Sequence, residues 1–254
     1  MRPVRLLHTS DVHLGGGFLA PESGRHHRWC LCPLHALERA AYDVGPDVVL
    51  VAGDLFDHQR VSADFVDEVM GRLAALPGRC VVTSGNHDLH DGRSLYRDWL
   101  DHPDLVVLDR PDGVTVELMD GAMMLWGKAM DDHHRGFRPL DGVPARPRAD
   151  AWWVVMGHGH YEPTVPEGGF DRSSPLTPDE IVGTGADYVA LGHWHRRTEV
   201  SAAEVVAWYS GAPHGPGASG SFNRIDLRPG VGVTVEPVAV VLPAAGCLDG
   251  PDPA

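Results

Sequence analysis

Short apolar runs alternate along the chain with stretches of helical period. Runs rich in Val, Leu and Ala occupy residues 4–7, 47–52, 80–82, 152–156 and 188–191. Apolar runs of that length, bounded by polar residues and glycine, read as buried strands. Residues 33–44 place Leu34, Leu37, Ala41 and Val44 on one helical face. Ser62 suits an N-cap. After it Phe65, Val66, Val69, Met70, Leu73 and Leu76 keep helical spacing until Pro77-Gly78 ends the run. Residues 93–100 read as a short helix. The pattern then turns to strands at 105–108, 114–119 and 122–126, the last two joined at Asp120-Gly121, a hairpin signal. Strands resume at 205–209, 222–227 and 231–241.

Two stretches read as loops: 131–150, rich in Arg, Pro and Gly, and 162–178, rich in Pro, Ser, Thr and Gly. Each lies near polar motifs and either lines a site or simply connects elements. Residues 243–254 read as a disordered tail. No repeat or interdomain linker is visible, so the expectation is an α/β fold in a single domain, 1–242, built around two sheets.

The polar residues directly after the apolar runs carry the chemistry. In order these are Asp11-Val12-His13, Gly53-Asp54-Leu55-Phe56-Asp57, Gly85-Asn86-His87-Asp88, Gly157-His158 and Gly192-His193-Trp194-His195. Ligands in open α/β sheets bind outside the carboxyl ends of the strands, so five such ends can converge on one site. Carboxylate, imidazole and amide donors together suit two transition-metal ions, with Mn preferred and Fe, Zn or Ni as alternatives, better than Ca. Two cations that close need an anion between them, and Asp54, at the end of the most apolar strand, is the candidate bridge.

Composition narrows the setting. The chain has 254 residues, 43% apolar and 22% charged, ordinary for a globular protein. It lacks the apolar run of about 18 residues that would suggest a membrane span, and residues 1–8 are too short for a secretory signal. A cytoplasmic protein is expected. The net charge of -14 serves solubility, or disfavours polyanionic partners, which are bound through Lys and Arg. Lys128 is the only lysine. Cys30 and Cys32 are closer than a usual zinc pair, Cys80 reads as core, and with Cys247 they give no sign of a disulfide framework.

The motif order D-x-H, G-D-x-x-D, G-N-H-D, G-H, G-H-x-H resembles that of the calcineurin-like metallophosphoesterases, over residues 11–195. The resemblance implies a phosphoesterase sandwich of two mixed β-sheets flanked by helices. It implies that Asp11, His13 and His195 bind one divalent metal ion, that Asn86, His158 and His193 bind a second, and that Asp54 bridges them. A metal-bound hydroxide would then attack phosphorus in line. His87 would act at the leaving-group oxygen, as general acid or stabiliser of charge, with Asp88 orienting its ring. Asp57 would hold the loop or a ligand histidine, or be purely structural. His160 is an alternative to His158. His8 is expected to be packed, His26, His27, His133 and His134 to lie in loops, His90, His102 and His214 at the surface, and Trp194 to serve packing.

Residues 8–15, 47–57, 187–195 and 209–213 resemble, more narrowly, the nuclease subunit of the DNA double-strand-break repair exonuclease. That implies a phosphodiesterase acting on DNA beside a partner ATPase. Members of that group carry a DNA-capping domain and an ATPase-docking segment, and neither is legible after His195. Arg25, Arg28, Arg135, Arg138, Arg146, Arg148, Arg196 and Arg197 flank the motifs, as a positive rim or as scattered charge. The competing expectations are a small-molecule phosphoesterase and, last, a non-catalytic scaffold, which would be expected to lose some of these residues.

Overall fold

The apolar runs become the central strands of two six-stranded sheets. In this computed structural model residues 1–16, 31–164, 169, 172–215 and 217–240 are described. One sheet contains β1 (Val4–Thr9), β2 (Val48–Ala52), β3 (Arg79–Thr83), β4 (Leu105–Leu108), β13 (Ser221–Arg228) and β14 (Gly232–Ala239), in the order β14-β13-β1-β2-β3-β4. The other contains β5 (Val114–Leu118), β6 (Met123–Gly127), β7 (Trp152–His158), β10 (Tyr188–Gly192), β11 (Thr198–Glu199) and β12 (Val206–Tyr209), in the order β11-β12-β10-β7-β6-β5. A third, two-stranded sheet pairs β8 (His160–Tyr161) with β9 (Pro175–Leu176). Both large sheets are mixed: β1 to β4 run parallel, as do β6, β7, β10 and β12, while β13, β14, β5 and β11 pair antiparallel. The expected two-sheet architecture is the observed one.

The period of two in the strands sorts side chains into three layers. Leu6, Val48, Leu50, Ala52 and Val81 meet Leu125, Val154, Met156, Tyr188 and Ala190 between the sheets. The alternate residues Leu7, Val49, Val51, Cys80 and Val82 pack outward against α1 (Cys32–Val44) and α2 (Ala63–Ala74). On the outer face of the second sheet Trp153, Val155, Val189 and Leu191 pack with Ile181 of α3 (Pro178–Gly183). Buried on both faces, the central strands are continuous apolar runs rather than alternating ones.

Local signals set the element ends. The Ser62 side chain accepts from the Phe65 N–H and caps α2. Gly45, at φ 57°, closes α1 with its N–H on the Ala41 carbonyl. Asp120 and Gly121, at φ 57° and 80°, turn the β5–β6 hairpin.

Three expectations change. The helix over 93–100 reduces to a 3-10 turn at Arg97–Trp99. The Asp91 carboxylate takes the Arg93 N–H and the Ser94 hydroxyl takes the Tyr96 N–H, so side chains compete with helical bonding. The stretch 162–178 was expected to be only loop, yet it contains β9, and α3 begins at its end. Thr177 and Glu180 cap each other reciprocally there, a T-x-x-E signature that was legible. Cys32 is disulfide-bonded, against the expectation drawn from the cysteine count. Cys80 is a buried free thiol, as expected of core. The tail 243–254 and Arg25, His26, His27 and Arg28 lie outside the described residues. Among the described residues no helix is long and apolar enough to cross a membrane.

Leu37 is fully buried under α1, whereas Tyr42 on the same helix is 71% exposed. Leu37→Ala is expected to cost about 2–5 kcal/mol in urea unfolding, and Tyr42→Ala about 0.5 kcal/mol or less. Equal losses would contradict this packing.

Candidate metal centre

All five motifs lie at the carboxyl ends of parallel strands, β1, β2 and β3 in one sheet and β7 and β10 in the other. The loops carrying them are held in sparsely populated backbone conformations. Asp11, His13, Asp54 and His193 have φ of 53°, 50°, 52° and 103°. Such left-handed non-glycine residues persist only where the surroundings over-determine them. Here they are stitched together: the Asp11 N–H donates to the Gly53 carbonyl, the His13 N–H to the Asp54 carbonyl and the His193 N–H to Asp11 Oδ2. Two glycines allow the sheets to close. A Cβ on Gly192 would lie 1.9 Å from the Ala52 carbonyl oxygen, and one on Gly85 would lie 2.3 Å from Asp54 Oδ1.

The structure brings together all seven residues expected to ligate metal. His13 Nε2 lies 3.2 Å from His195 Nε2, and His195 Nε2 lies 3.8 Å from Asp11 Oδ1. Across the cluster, Asn86 Oδ1 lies 2.9 Å from His193 Nδ1 and 3.2 Å from His158 Nε2. Asp54 stands between the two groups, its Oδ2 being 3.4 Å from His158 Nε2 and 3.9 Å from His13 Nε2. The other oxygen, Oδ1, accepts the His87 N–H at 2.8 Å, which leaves Oδ2 facing the imidazoles. His158 Nδ1 lies 2.8 Å from the Ala52 carbonyl oxygen. That contact requires the hydrogen on Nδ1 and turns the Nε2 lone pair into the cluster.

Electrostatics favour a cation. Burial alone would push the Asp54 carboxyl up, but His158 and then His13 hold it well below the usual range. Burial opposes charging of His158, yet the Asp54 charge raises it to about 9. Burial, then His158, depresses His193 to about 3, and burial lowers His13 as well. His193 and His13 are thus neutral and Asp54 is an anion, the states that metal binding requires, whereas His158 carries a proton that a bound ion would have to displace. Asp11 Oδ1 is buried without a hydrogen-bond partner among the described residues. Ligand atoms of Asp11, His13 and His195, and of Asp11, Asp54 and His158, lie within 4.8 Å of one another.

His87 stands at the edge of the cluster, its side chain 42% exposed, edge-on to the His13 ring at 4.6 Å. Its Nδ1 donates to the Asp57 carbonyl at 2.7 Å. Asp88, expected to orient the His87 ring, does something else. Its carboxylate accepts the N–H groups of Gly85, Asp54 and Phe56 and the Tyr96 hydroxyl. It ties the second and third motifs together as a buried anchor, and burial, then the nearby Asp54 charge, pushes it up to about 6. The residue beside His87 is Asp57, whose Oδ1 is also 3.2 Å from His13 Nδ1.

Other residues sort clearly. His160 accepts from the Trp194 indole and stands 3.7 Å from Glu162, while His158 lies inside the cluster, 3.4 Å from Asp54. Trp194 stacks on Tyr209 at 4.8 Å, a packing role. His8 is buried against the Tyr188 hydroxyl, as expected of a packed residue. His214, expected at the surface, is buried, with Nε2 2.7 Å from the Val12 carbonyl oxygen between Asp11 and His13. Its place next to the 209–213 stretch was the available signal. Ser10 joins the Asp11 carboxylate to Ser210, another link that sequence reading missed. Of the arginines expected to form a positive rim, Arg138 pairs with Glu180, Arg146 with Asp187 and Arg148 with Asp150, while Arg197 lies over the Trp208 ring.

The profile of the family described as calcineurin-like phosphoesterase matches residues 4–197. The chain belongs to that family. It is 26% identical over 218 residues to "Uncharacterized metallophosphoesterase YhaO" of Bacillus subtilis, covering 82% of this chain and 52% of that protein. It is 24% identical over 279 aligned positions to a subunit of the nuclease SbcCD of Bacillus subtilis, covering 92% and 69%. It is 26% identical over 239 residues to "DNA double-strand break repair protein Mre11" of Methanosarcina acetivorans, covering 89% and 37%. This chain therefore spans about half the length of the first of these relatives. A solved structure superposes with a TM-score of 0.58 at 12% identity, covering 92% of this chain and 99% of its own, a likeness of fold.

Asp88→Ala is expected to destabilise the protein by at least about 2 kcal/mol, because three buried N–H groups and a hydroxyl lose their acceptor, whereas Tyr96→Phe should cost about 1 kcal/mol. Thermal unfolding of both variants checks this; an Asp88→Ala protein as stable as wild type would overturn the anchoring role.

Proposed function

We propose that the cluster holds two divalent metal ions and that the protein is a phosphodiesterase acting on nucleic acid ends. The observation that carries this reading is the convergence of Asp11, His13, Asp54, Asn86, His158, His193 and His195 around the buried Asp54 carboxylate. Oxygen and imidazole donors, and the orphaned Asp11 Oδ1, fit Mn, with Fe, Zn or Ni as alternatives. Asp11, His13 and His195 would hold one ion, Asn86, His158 and His193 the other, and Asp54 both. Bound there, the ions would neutralise phosphoryl charge and lower the pKa of a coordinated water.

The chain's own residues supply position and a proton. The His87 N–H fixes Asp54 with Oδ2 toward the imidazoles. The Asp57 carbonyl holds His87 Nδ1–H, so His87 donates to a leaving oxygen from Nε2 only as the imidazolium. DNA as substrate, and a partner subunit, are proposed from the likeness to a protein named as a subunit of a nuclease and to one named for DNA break repair. A second reading, a small-molecule phosphoesterase, is favoured by the pairing of Arg138, Arg146 and Arg148 with carboxylates in a chain of net charge -14.

Chelation with EDTA is expected to abolish hydrolysis of bis-p-nitrophenyl phosphate, and added Mn to restore it. Asp54→Ala should lose both activity and bound metal, measured by elemental analysis. His87→Ala should keep its metal and lose about 10²-fold or more in rate; an emptied site would show that His87 is a ligand. Mn-dependent cleavage of end-labelled linear DNA separates the two readings. Intact DNA beside rapid diester hydrolysis would favour the small-molecule substrate.

A further inference from the structure

The loop between β12 and β13 grips one half of the cluster and leaves the other half alone. His214 is buried in that loop, with Nε2 2.7 Å from the Val12 carbonyl oxygen. A carbonyl only accepts, so the hydrogen is on Nε2. Ser210 Oγ lies 2.8 Å from Ser10 Oγ. The single hydroxyl hydrogen of Ser10 goes to Asp11 Oδ2, so Ser210 is the donor between the two serines. Asp11 Oδ2 also accepts the His193 N–H at 3.0 Å, which leaves Oδ1 as the open oxygen. Further along the loop, the Ala212 and Ser219 N–H groups both donate to the His195 carbonyl at 3.0 Å. Gly211 packs so closely here that a Cβ on it would lie 2.6 Å from the Arg197 nitrogen.

The residues reached in this way are Asp11 through Ser10, the peptide between Asp11 and His13, and His195. Those three are the set proposed for one of the two ions. The other set is held by different means. His158 Nδ1 is fixed on the Ala52 carbonyl, and Asn86 follows Gly85, whose N–H is bound by Asp88. Among the described residues, no hydrogen bond from residues 210–214 reaches Asn86, His158 or His193. The grip on Val12 matters because Asp11 and His13 on either side of it have φ of 53° and 50°. Left-handed residues of this kind relax unless something outside the segment holds them.

We propose that His214, with Ser210, is a positioning residue for one metal site only: it holds Asp11 and His13 in register with His195, so that the ion on those three depends on the loop and the ion on Asn86, His158 and His193 does not. This rests on the two-metal reading and adds an inequality between the two sites. His214 gives no donor atom of its own. It belongs to none of the clusters of described residues whose donor atoms lie within 4.8 Å of one another.

The test uses the full chain and the variants His214→Phe, His214→Gln and Ser210→Ala. Phe keeps a ring and deletes the donor; Gln keeps a donor near the place of Nε2. Leu73→Ala, which removes packing under α2, controls for general loosening of the fold, and thermal unfolding of each metal-free protein measures that loosening. Bound Mn is read by equilibrium dialysis over a range of free Mn, and the magnetic coupling of paired Mn ions by electron paramagnetic resonance. Wild type and Leu73→Ala should bind two equivalents and show coupling. His214→Phe should keep one equivalent and bind the second about 10- to 100-fold more weakly, with the signal of an isolated Mn in place of the coupled one. Gln should recover part of that loss, and Ser210→Ala should shift the same equivalent by less. In a His195→Ala background, already short of the same equivalent, His214→Phe should remove no further metal. Equal weakening of both equivalents, two unaltered equivalents in His214→Phe, or a further loss in the His195→Ala background would each overturn the proposal. A His214→Phe protein that does not fold leaves the decision to Gln and Ser210→Ala, where two unaltered equivalents overturn it. A wild type that binds fewer than two equivalents sinks the two-metal reading and this one with it, whereas two equivalents in the wild type beside unaltered variants sinks only the role of the loop.

Discussion

The close approach of β2 and β10 at their carboxyl ends is the constraint on which the site depends. Gly192 packs so tightly on the Ala52 carbonyl that no side chain fits between them. The same carbonyl takes His158 Nδ1 and so decides which ring nitrogen faces inward. Asp54 follows two residues later. One backbone oxygen thus sets the spacing of the two sheets and the tautomer of a central imidazole. Side chains of the cluster from both sheets can reach one another only because the interface closes to that distance.

The interface is filled by charge that ordinary packing would not tolerate. Asp11 and Asp54 are essentially buried, among His13, His158 and His193. Buried carboxylates are costly without a compensating cation. The raised His158 and the depressed His193 and His13 express one competition, in which a proton on His158 offsets part of the Asp54 charge. A divalent ion contends for the same lone pairs, so metal affinity and proton affinity are linked at this centre.

Holding such groups together requires a second layer whose members touch no reacting atom. Asp88 ties Gly85, Asp54 and Phe56 into one unit and is itself fixed by Tyr96. His214 grips the Val12 carbonyl between Asp11 and His13, and Ser210 reaches Asp11 through Ser10. These bonds stabilise the left-handed backbone at Asp11, His13 and Asp54, and they explain how strained loops present donors in fixed directions.

The sequence by itself determined the central strands of both large sheets, two of the helices and the positions of the polar motifs. Each is announced locally: an apolar run of strand length, a helical period, a polar residue directly after the run. Since parallel strands deliver their carboxyl ends to one side, the motifs could be expected to converge, and the resemblance to the calcineurin-like family named seven candidate donors among them. Only the tertiary structure decided what the remaining polar groups do. Asp88 is adjacent to His87 in the chain but turns to Asp54, Phe56 and Tyr96. His214 lies far from Val12 in sequence, and Arg138, Arg146 and Arg148 find carboxylates rather than forming a rim. The 3-10 turn at Arg97–Trp99 likewise reflects side chains capturing backbone N–H groups within a helical-looking pattern. Hydrogen bonds and ion pairs depend on direction over a few ångströms. That direction is fixed only when the two sheets have closed, so periodicity and motif order carry no trace of it.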